Sequence, residues 1–237
     1  MFQAVSQSDP AEIRSQVDAL RKLAPEMGLP DILLASLEAR EGRPDAAAQL
    51  LATAAGKDLT WLPDFELARL AILRELESGK PSLEGLRNLF SIALPSCLVL
   101  RNIAREFLPS SREGDEGSPG EAAVESGAES APEILRLGRS LQGEGGFLIH
   151  NLVGGAIVEM SLKEIEASRE LTPEEAALRD RTRSIQSLAT LFSDRLEQVL
   201  LAEPDLVPVY LRDVAEHGEA VAARRTLINY LAREVSR

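Results

Sequence analysis

Two histidines, His150 and His217, and one cysteine, Cys97, are the chain's whole stock of imidazole and thiol. Nucleophilic catalysis of the Ser-His-Asp or Cys-His kind needs an imidazole held beside the nucleophile. His217 stands before Gly218, where a helix is expected to end, and a histidine there hydrogen-bonds the last carbonyls and suits the dipole. Cys97 lies in the apolar run SCLVL with its nearest base at Arg101, the setting of a buried, inert thiol. Neither histidine has a glutamate three residues before it, so the Glu-x-x-His pairs of a di-iron bundle are missing. A zinc site would have to gather one cysteine and two distant histidines. Gly143-Glu144-Gly145-Gly146 lacks the glycine spacing, the lysine and the strand of a nucleotide loop. Gly138 to Gly143 lacks the spacing and strand of a nucleophile elbow. The residues therefore predict no catalytic set, no metal site and no cofactor.

One stretch concentrates what polar chemistry remains. Gly145 to Ser168, GGFLIHNLVGGAIVEMSLKEIEAS, repeats apolar residues at helical spacing through Ile149, Val153, Ile157, Met160 and Ile165. Phe147, Leu148, Leu152 and Val158 widen the stripe, and a helix apolar nearly all round is built for burial on several sides. His150, Asn151, Gly154, Gly155 and Glu159 are its candidate contact residues, read as lying mostly on one narrow strip. One reading is a small pocket, with the glycines admitting a ligand and His150, Asn151 and Glu159 supplying polar contacts. The other is a neighbouring helix packed on the glycines. Two interior glycines cost about 1 kcal/mol each relative to alanine, which calls for a steric reason, and close helix packing supplies one.

The elements around this helix are helical as well. Asp9-Pro10-Ala11-Glu12 opens a first helix carrying Ile13, Val17, Leu20 and Leu23. Pro30-Asp31 opens a second, Gly42-Arg43-Pro44-Asp45 turns the chain into a third, and Pro63 to Glu77 is a fourth. Further helices are expected after Ser82, from Cys97 to Phe107, and after Ser130-Ala131-Pro132-Glu133, which reads as a capping box. Thr172-Pro173-Glu174-Glu175 launches a long helix to about Leu201, with Leu178, Ile185, Leu188, Phe192, Leu196 and Val199 as a seam and Arg179, Asp180, Arg181 and Arg183 on its charged outer face. Two last helices, 205–216 and 219–236, join at His217-Gly218. Nothing alternates with a period of two. The expectation is an all-α protein of about eleven helices, hairpins forming a bundle or a short irregular solenoid.

Residues 31–55 resemble a tetratricopeptide-type helical hairpin. Ala35, Gly42, Ala47 and Ala54 fall where that family places the small residues that bring two helices close. Asp31 and Glu38 depart from it, standing where large residues are expected. The resemblance implies a helical-repeat, protein-binding architecture for this hairpin alone. Between 109 and 131 the composition turns to glycine, serine and acid, PSSREGDEGSPGEAAVESGAESA, and reads as an acidic linker or long loop. It separates an N-terminal helical half, 1–108, from a C-terminal half, 132–237.

A net charge of −12, from 26 basic and 38 acidic residues, argues against nucleic acid and anionic membranes as partners. Aromatics at 4% leave few platforms for base stacking. No apolar run approaches the roughly 20 residues of a membrane span, and the start MFQAVSQSDPAE has neither basic residues nor an apolar core to act as a leader. A cytoplasmic location is expected, with a secreted or periplasmic one left open. The expected function is a non-enzymatic scaffold or adaptor that binds another protein through a groove between helices. The alternatives are a small-molecule-binding or hydrolytic domain centred on His150 and Glu159, and one domain of a larger secreted protein.

Overall fold

The computed structural model describes residues 10–57, 63–79, 81, 97, 100–108, 121–142 and 147–235. The fold is all-α, with about ten helices and no strand among the described residues. In chain order the principal helices are α1 Pro10–Leu23, α2 Leu29–Arg40, α3 Pro44–Ala55, α4 Pro63–Glu77, α5 Glu121–Leu141, α6 Leu148–Ser168, α7 Pro173–Ala202, α8 Val207–His217 and α9 Glu219–Val235. Residues 100–107 are helical too. The expected helix after Ser82 lies outside the described residues.

Local chemistry accounts for most of these boundaries. Proline stands at the first or second position of α2, α3, α7 and α8, where its missing N–H has no partner to lose. Thr172 Oγ1 accepts the Glu175 N–H at 3.2 Å, and the Glu175 carboxylate accepts the Thr172 N–H at 2.8 Å, the reciprocal box read from the sequence. Arg169 is the main cause that holds the Glu175 carboxyl down to about 2. Gly42 and Gly218, with φ of 74° and 83°, sit in the left-handed region that lets α2 turn into α3 and α8 into α9.

One expected boundary is displaced. α5 begins at Glu121, so residues 121–131 of the expected linker are helical, while 109–120 lie outside the described residues. Ser130, read as a cap, is buried within the helix, and Pro132 is interior to it. The acidic run EAAVESGAES is also rich in alanine and glutamate, both strong helix formers. Downstream, Ala131, Ile134, Leu137 and Leu141 anchor the helix in the core, which offsets an interior proline's cost of ~3 kcal/mol.

Two large apolar cores result, with a smaller cluster of Ile13, Val17, Leu34 and Leu37 joining α1 to α2. The first joins α2 and α3 to Cys97 and residues 100–108, α5 and the body of α6, and so draws on both sides of the 109–131 stretch. Cys97 is a buried thiol within it. The second joins α4, the start of α6, the latter part of α7, α8 and α9. α6 belongs to both, with Ile149 packed against each.

The α2–α3 hairpin buries Ala35, Ala47 and Ala54 between its helices. Its two departures from the tetratricopeptide pattern are structural. Asp31 is fully buried between Lys57 Nζ at 2.6 Å and Arg21 Nε at 3.0 Å. Glu38 accepts hydrogen bonds from Arg43 and Arg14, in that order of effect, and its carboxyl is pulled down to about 2. Charged bracing to α1 and to the start and end of α3 replaces the large residues of the repeat family. Glu106 extends the pattern, accepting from the Ser36 hydroxyl at 2.7 Å and from Arg40.

The two glycines of α6 face different neighbours. A Cβ on Gly154 would lie 2.6 Å from the Gly138 carbonyl oxygen of α5, and one on Gly138 would lie 2.9 Å from the Gly154 carbonyl oxygen. The α5 and α6 backbones therefore touch. A Cβ on Gly155 would instead meet the Gln186 side chain of α7 at 2.6 Å, and Gln186 Nε2 donates to the Leu152 carbonyl at 3.4 Å. Backbone cannot yield, whereas a glutamine can swing aside. Gly154→Ala is expected to destabilise by about 2 kcal/mol despite alanine's better helix propensity. Gly155→Ala should stay within about 1 kcal/mol of wild type. Urea unfolding of the two variants measures this; equal effects would refute the backbone contact.

Candidate functional site

The five candidate residues share one helix but not one strip. His150 and Glu159 are nine residues apart, about half a turn out of phase and roughly 13 Å along the axis. His150 is buried, and its Nδ1 accepts the Phe147 N–H at 3.3 Å, taking the part a glutamate plays in a capping box. An accepting Nδ1 places the imidazole proton on Nε2. The ring also lies against Phe147, with centroids 5.7 Å apart. Glu159 faces α7, where it pairs with Arg183 at 2.8 Å and Arg179 at 3.7 Å; Arg179 reaches on to Glu166 at 2.9 Å. Gly154 is closed by α5 and Gly155 by Gln186. A pocket centred on His150 and Glu159 is not what the fold assembles.

Asn151 is the exception. Together with Leu148 it forms one wall of a cavity of about 340 Å³ between the start of α6, the middle of α7 and the start of α9. α7 contributes Arg181, Ile185, Leu188 and Phe192, at spacings of four, three and four that keep them on one helix face. α9 contributes Ala220, Val221 and Arg224, and Gln142 closes the end below α5. Gln142 Oε1 accepts from the Thr182 hydroxyl at 3.5 Å, while its buried Nε2 has no hydrogen-bond partner among the described residues. The cavity is thus apolar along its length, with two amides at its base and two guanidinium groups on its walls. That combination suits a largely apolar guest carrying an acceptor or an anion. No family model, curated protein or solved structure matches this chain. The site is therefore read from its own geometry.

Next to the cavity residues Leu148 and Ala220 stands a buried carboxyl group whose proton affinity is raised. Glu219, the first residue of α9, is buried. Its Oε2 accepts the Leu148 N–H at 2.7 Å, and its Oε1 accepts from the Tyr210 hydroxyl at 3.1 Å. One side chain thereby satisfies the first N–H of α6 and ties α8 and α9 to it. Burial raises the carboxyl to about 7 against the lowering effect of those two hydrogen bonds. Burial, then the nearby Glu219, pushes Tyr210 well above its ordinary range. Both carboxyl oxygens are engaged, so Glu219 is a positioning group for the cavity's Leu148 and Ala220. Among the described residues no cluster of histidine, cysteine, aspartate or glutamate is placed to hold a metal ion.

Sequence reasoning passed over Arg181, Arg224 and Glu219. Arg181 was legible only as part of a charged outer face. Glu219 reads like any first-turn acid, and its role depends on Leu148, 71 residues away.

The raised Glu219 carboxyl carries a definite pH dependence. Its folded value of about 7 exceeds the ordinary 4.5, so the folded state holds the proton more tightly. This contribution is fully present below about 4.5 and is lost as pH rises through 7. Between pH 8 and pH 5 wild type should gain up to about 3 kcal/mol relative to Glu219→Gln, roughly 5–10 °C in Tm. Gln can accept the Leu148 N–H through its oxygen and donate from its amide nitrogen to the Tyr210 oxygen, without titrating. Parallel Tm–pH curves for the two proteins would show that Glu219 is not held in this way.

Proposed function

We propose that this chain is a non-enzymatic helical scaffold that binds another protein along the groove between α7 and α9. The carrying observation is the run of large apolar side chains left exposed beside the cavity. Leu188 and Leu191 on α7 are 50% and 58% exposed, and Ile228 and Leu231 on α9 are each 58% exposed. Ile228 lies seven residues after Val221 and four after Arg224, so it continues the face that lines the cavity. Arg233 of α9 pairs with Glu203 beyond the end of α7 at 3.1 Å, so the two helices run side by side in the same direction. Apolar side chains gathered beside a cavity support a binding surface more than scattered ones do. The remaining polar candidates are engaged in packing, which favours binding over turnover. No helix is long and apolar enough among the described residues to cross a membrane. A cytoplasmic setting belongs to the same proposal, since the one cysteine asks for no oxidising compartment.

A photo-crosslinking residue placed at Leu188 or at Ile228 should capture one discrete protein in extract of the native host. The same residue at Leu23 on α1, 83% exposed and remote, should not. Leu188→Gln with Ile228→Gln should weaken binding of that protein by roughly 10-fold or more, since buried apolar anchors carry most interface energy. Stability should change by less than about 0.5 kcal/mol, because both sites are exposed. Undiminished binding by the double variant would end the proposal.

A further inference from the structure

The charges around this groove run against those of the whole protein. The chain carries 38 acidic and 26 basic residues. Yet the α7 face that follows Arg181 through Ile185, Leu188 and Phe192 reaches Arg195 without one acidic residue. On α9 the face from Val221 holds Arg224 and Arg225, then Ile228 and Leu231, again with no acid. Arg225 is held by Asp213 at 3.6 Å, and Arg195 donates to Gln198 at 3.0 Å. Arg181 and Arg224, the two that line the cavity, have neither a carboxylate nor a hydrogen-bond partner among the described residues. Arg14, Arg40, Arg179 and Arg183 are instead paired with glutamates, while Arg139 and Arg212, outside the groove, have no such partner among the described residues either.

From this we infer that the groove takes an acidic amphipathic helix of a partner protein, with a large apolar side chain in the cavity and flanking carboxylates on Arg181 and Arg224. The inference rests on the protein-binding groove proposed above and names its occupant. Two helices lying side by side present ridges and a groove that a third helix can fill. An added β-strand needs an open sheet edge, and no strand exists among the described residues. A polyproline segment needs a groove lined with aromatic rings, and Phe192 is the one ring among the cavity's residues. Guanidinium groups match carboxylates in bidentate fashion and are more weakly hydrated than ammonium, which suits them to an interface. The net charge of −12 repels an acidic partner at long range, but that field is screened within about 8 Å at physiological salt. What remains is local, and the charged side chains that line the cavity, Arg181 and Arg224, are both cationic. A flat anionic membrane would meet the same arginines but would have no side chain to fill the cavity.

The test uses the full chain and three synthetic peptides of about fifteen residues, four helical turns each. All three share one leucine- and phenylalanine-bearing face; the flanking positions carry glutamate, glutamine or lysine. Fluorescence anisotropy at physiological salt should rank glutamate tightest, glutamine roughly 10-fold weaker and lysine weaker again. In Arg181→Gln/Arg224→Gln, matched to wild type in helix content and Tm, glutamate and glutamine peptides should bind alike. Equal affinity of those two peptides for wild type would overturn the acidic partner and leave the groove standing. Undiminished binding of the glutamate peptide to Leu188→Gln/Ile228→Gln would overturn the groove itself. Sedimentation with phosphatidylserine vesicles that is lost in the double arginine variant would assign the face to a membrane and overturn the inference.

Discussion

The backbone contact between Gly138 of α5 and Gly154 of α6 sets the spacing from which the rest of the molecule follows. A carbonyl oxygen standing 2.6 Å from where a Cβ would be leaves room for hydrogen alone. With α5 pressed so closely on one side, α6 can bring Val153, Ile157, Val158, Leu162 and Ile165 into the first core. The next residue, Gly155, points at α7, where the contact is a glutamine side chain. Adjacent glycines on a helix differ by about 100° in direction, so a pair of them opens two neighbouring faces at once. A single glycine would admit one close neighbour; the pair lets α6 run between two.

A helix enclosed in this way has its first N–H groups buried with it, and buried donors must be satisfied. Two unlike devices meet that demand. His150 turns its Nδ1 back to the Phe147 N–H, and Glu219 reaches in from α9 to the Leu148 N–H. The second device has a consequence the first lacks. A carboxylate brought into the interior to serve one amide must also keep Tyr210 and its own charge in a dry site, so its proton affinity rises. The same chemistry that seats α6 makes the junction of α6, α8 and α9 sensitive to pH near neutrality. Glu38 and Glu175 behave oppositely because each accepts hydrogen bonds from an arginine, which favours the charged form.

What was legible in the sequence was whatever depends on near neighbours in the chain. The capping box at Thr172, the turn at Gly42 and the hinge at Gly218 each need only a few consecutive residues, and each stands where its signal put it. The glycine pair was legible as a steric demand, and the structure supplies a helix on one side and a side chain on the other. The start of α5 was misread because its acids outweighed its alanines in a composition argument, while the force that fixes the helix comes from α6. The candidate strip failed for a geometric reason: His150 and Glu159 differ by nine residues, a spacing that opposes them on a helix. The cavity was illegible because its walls come from Gln142, just after α5, and from α6, α7 and α9, four segments whose juxtaposition no local pattern encodes.

The distribution of paired and unpaired arginine follows from the same architecture. α6 lies between α5 and α7, so its polar margin faces α7 directly, and Glu159 and Glu166 find Arg179 and Arg183 there. Arg181 projects between those two in sequence but toward another side, about 160–200° from each around the helix. On that side α6 presents Leu148 and Asn151, and α9 presents another arginine, Arg224. The fold therefore offers Arg181 no acid, although acids outnumber bases in the chain. Two arginines sharing the walls of an apolar cavity repel each other weakly across it, and nothing in the packing of the described residues needs either of them. In the acidic-helix reading proposed above, both meet carboxylates of a partner, carried on something able to fill the apolar cavity between them.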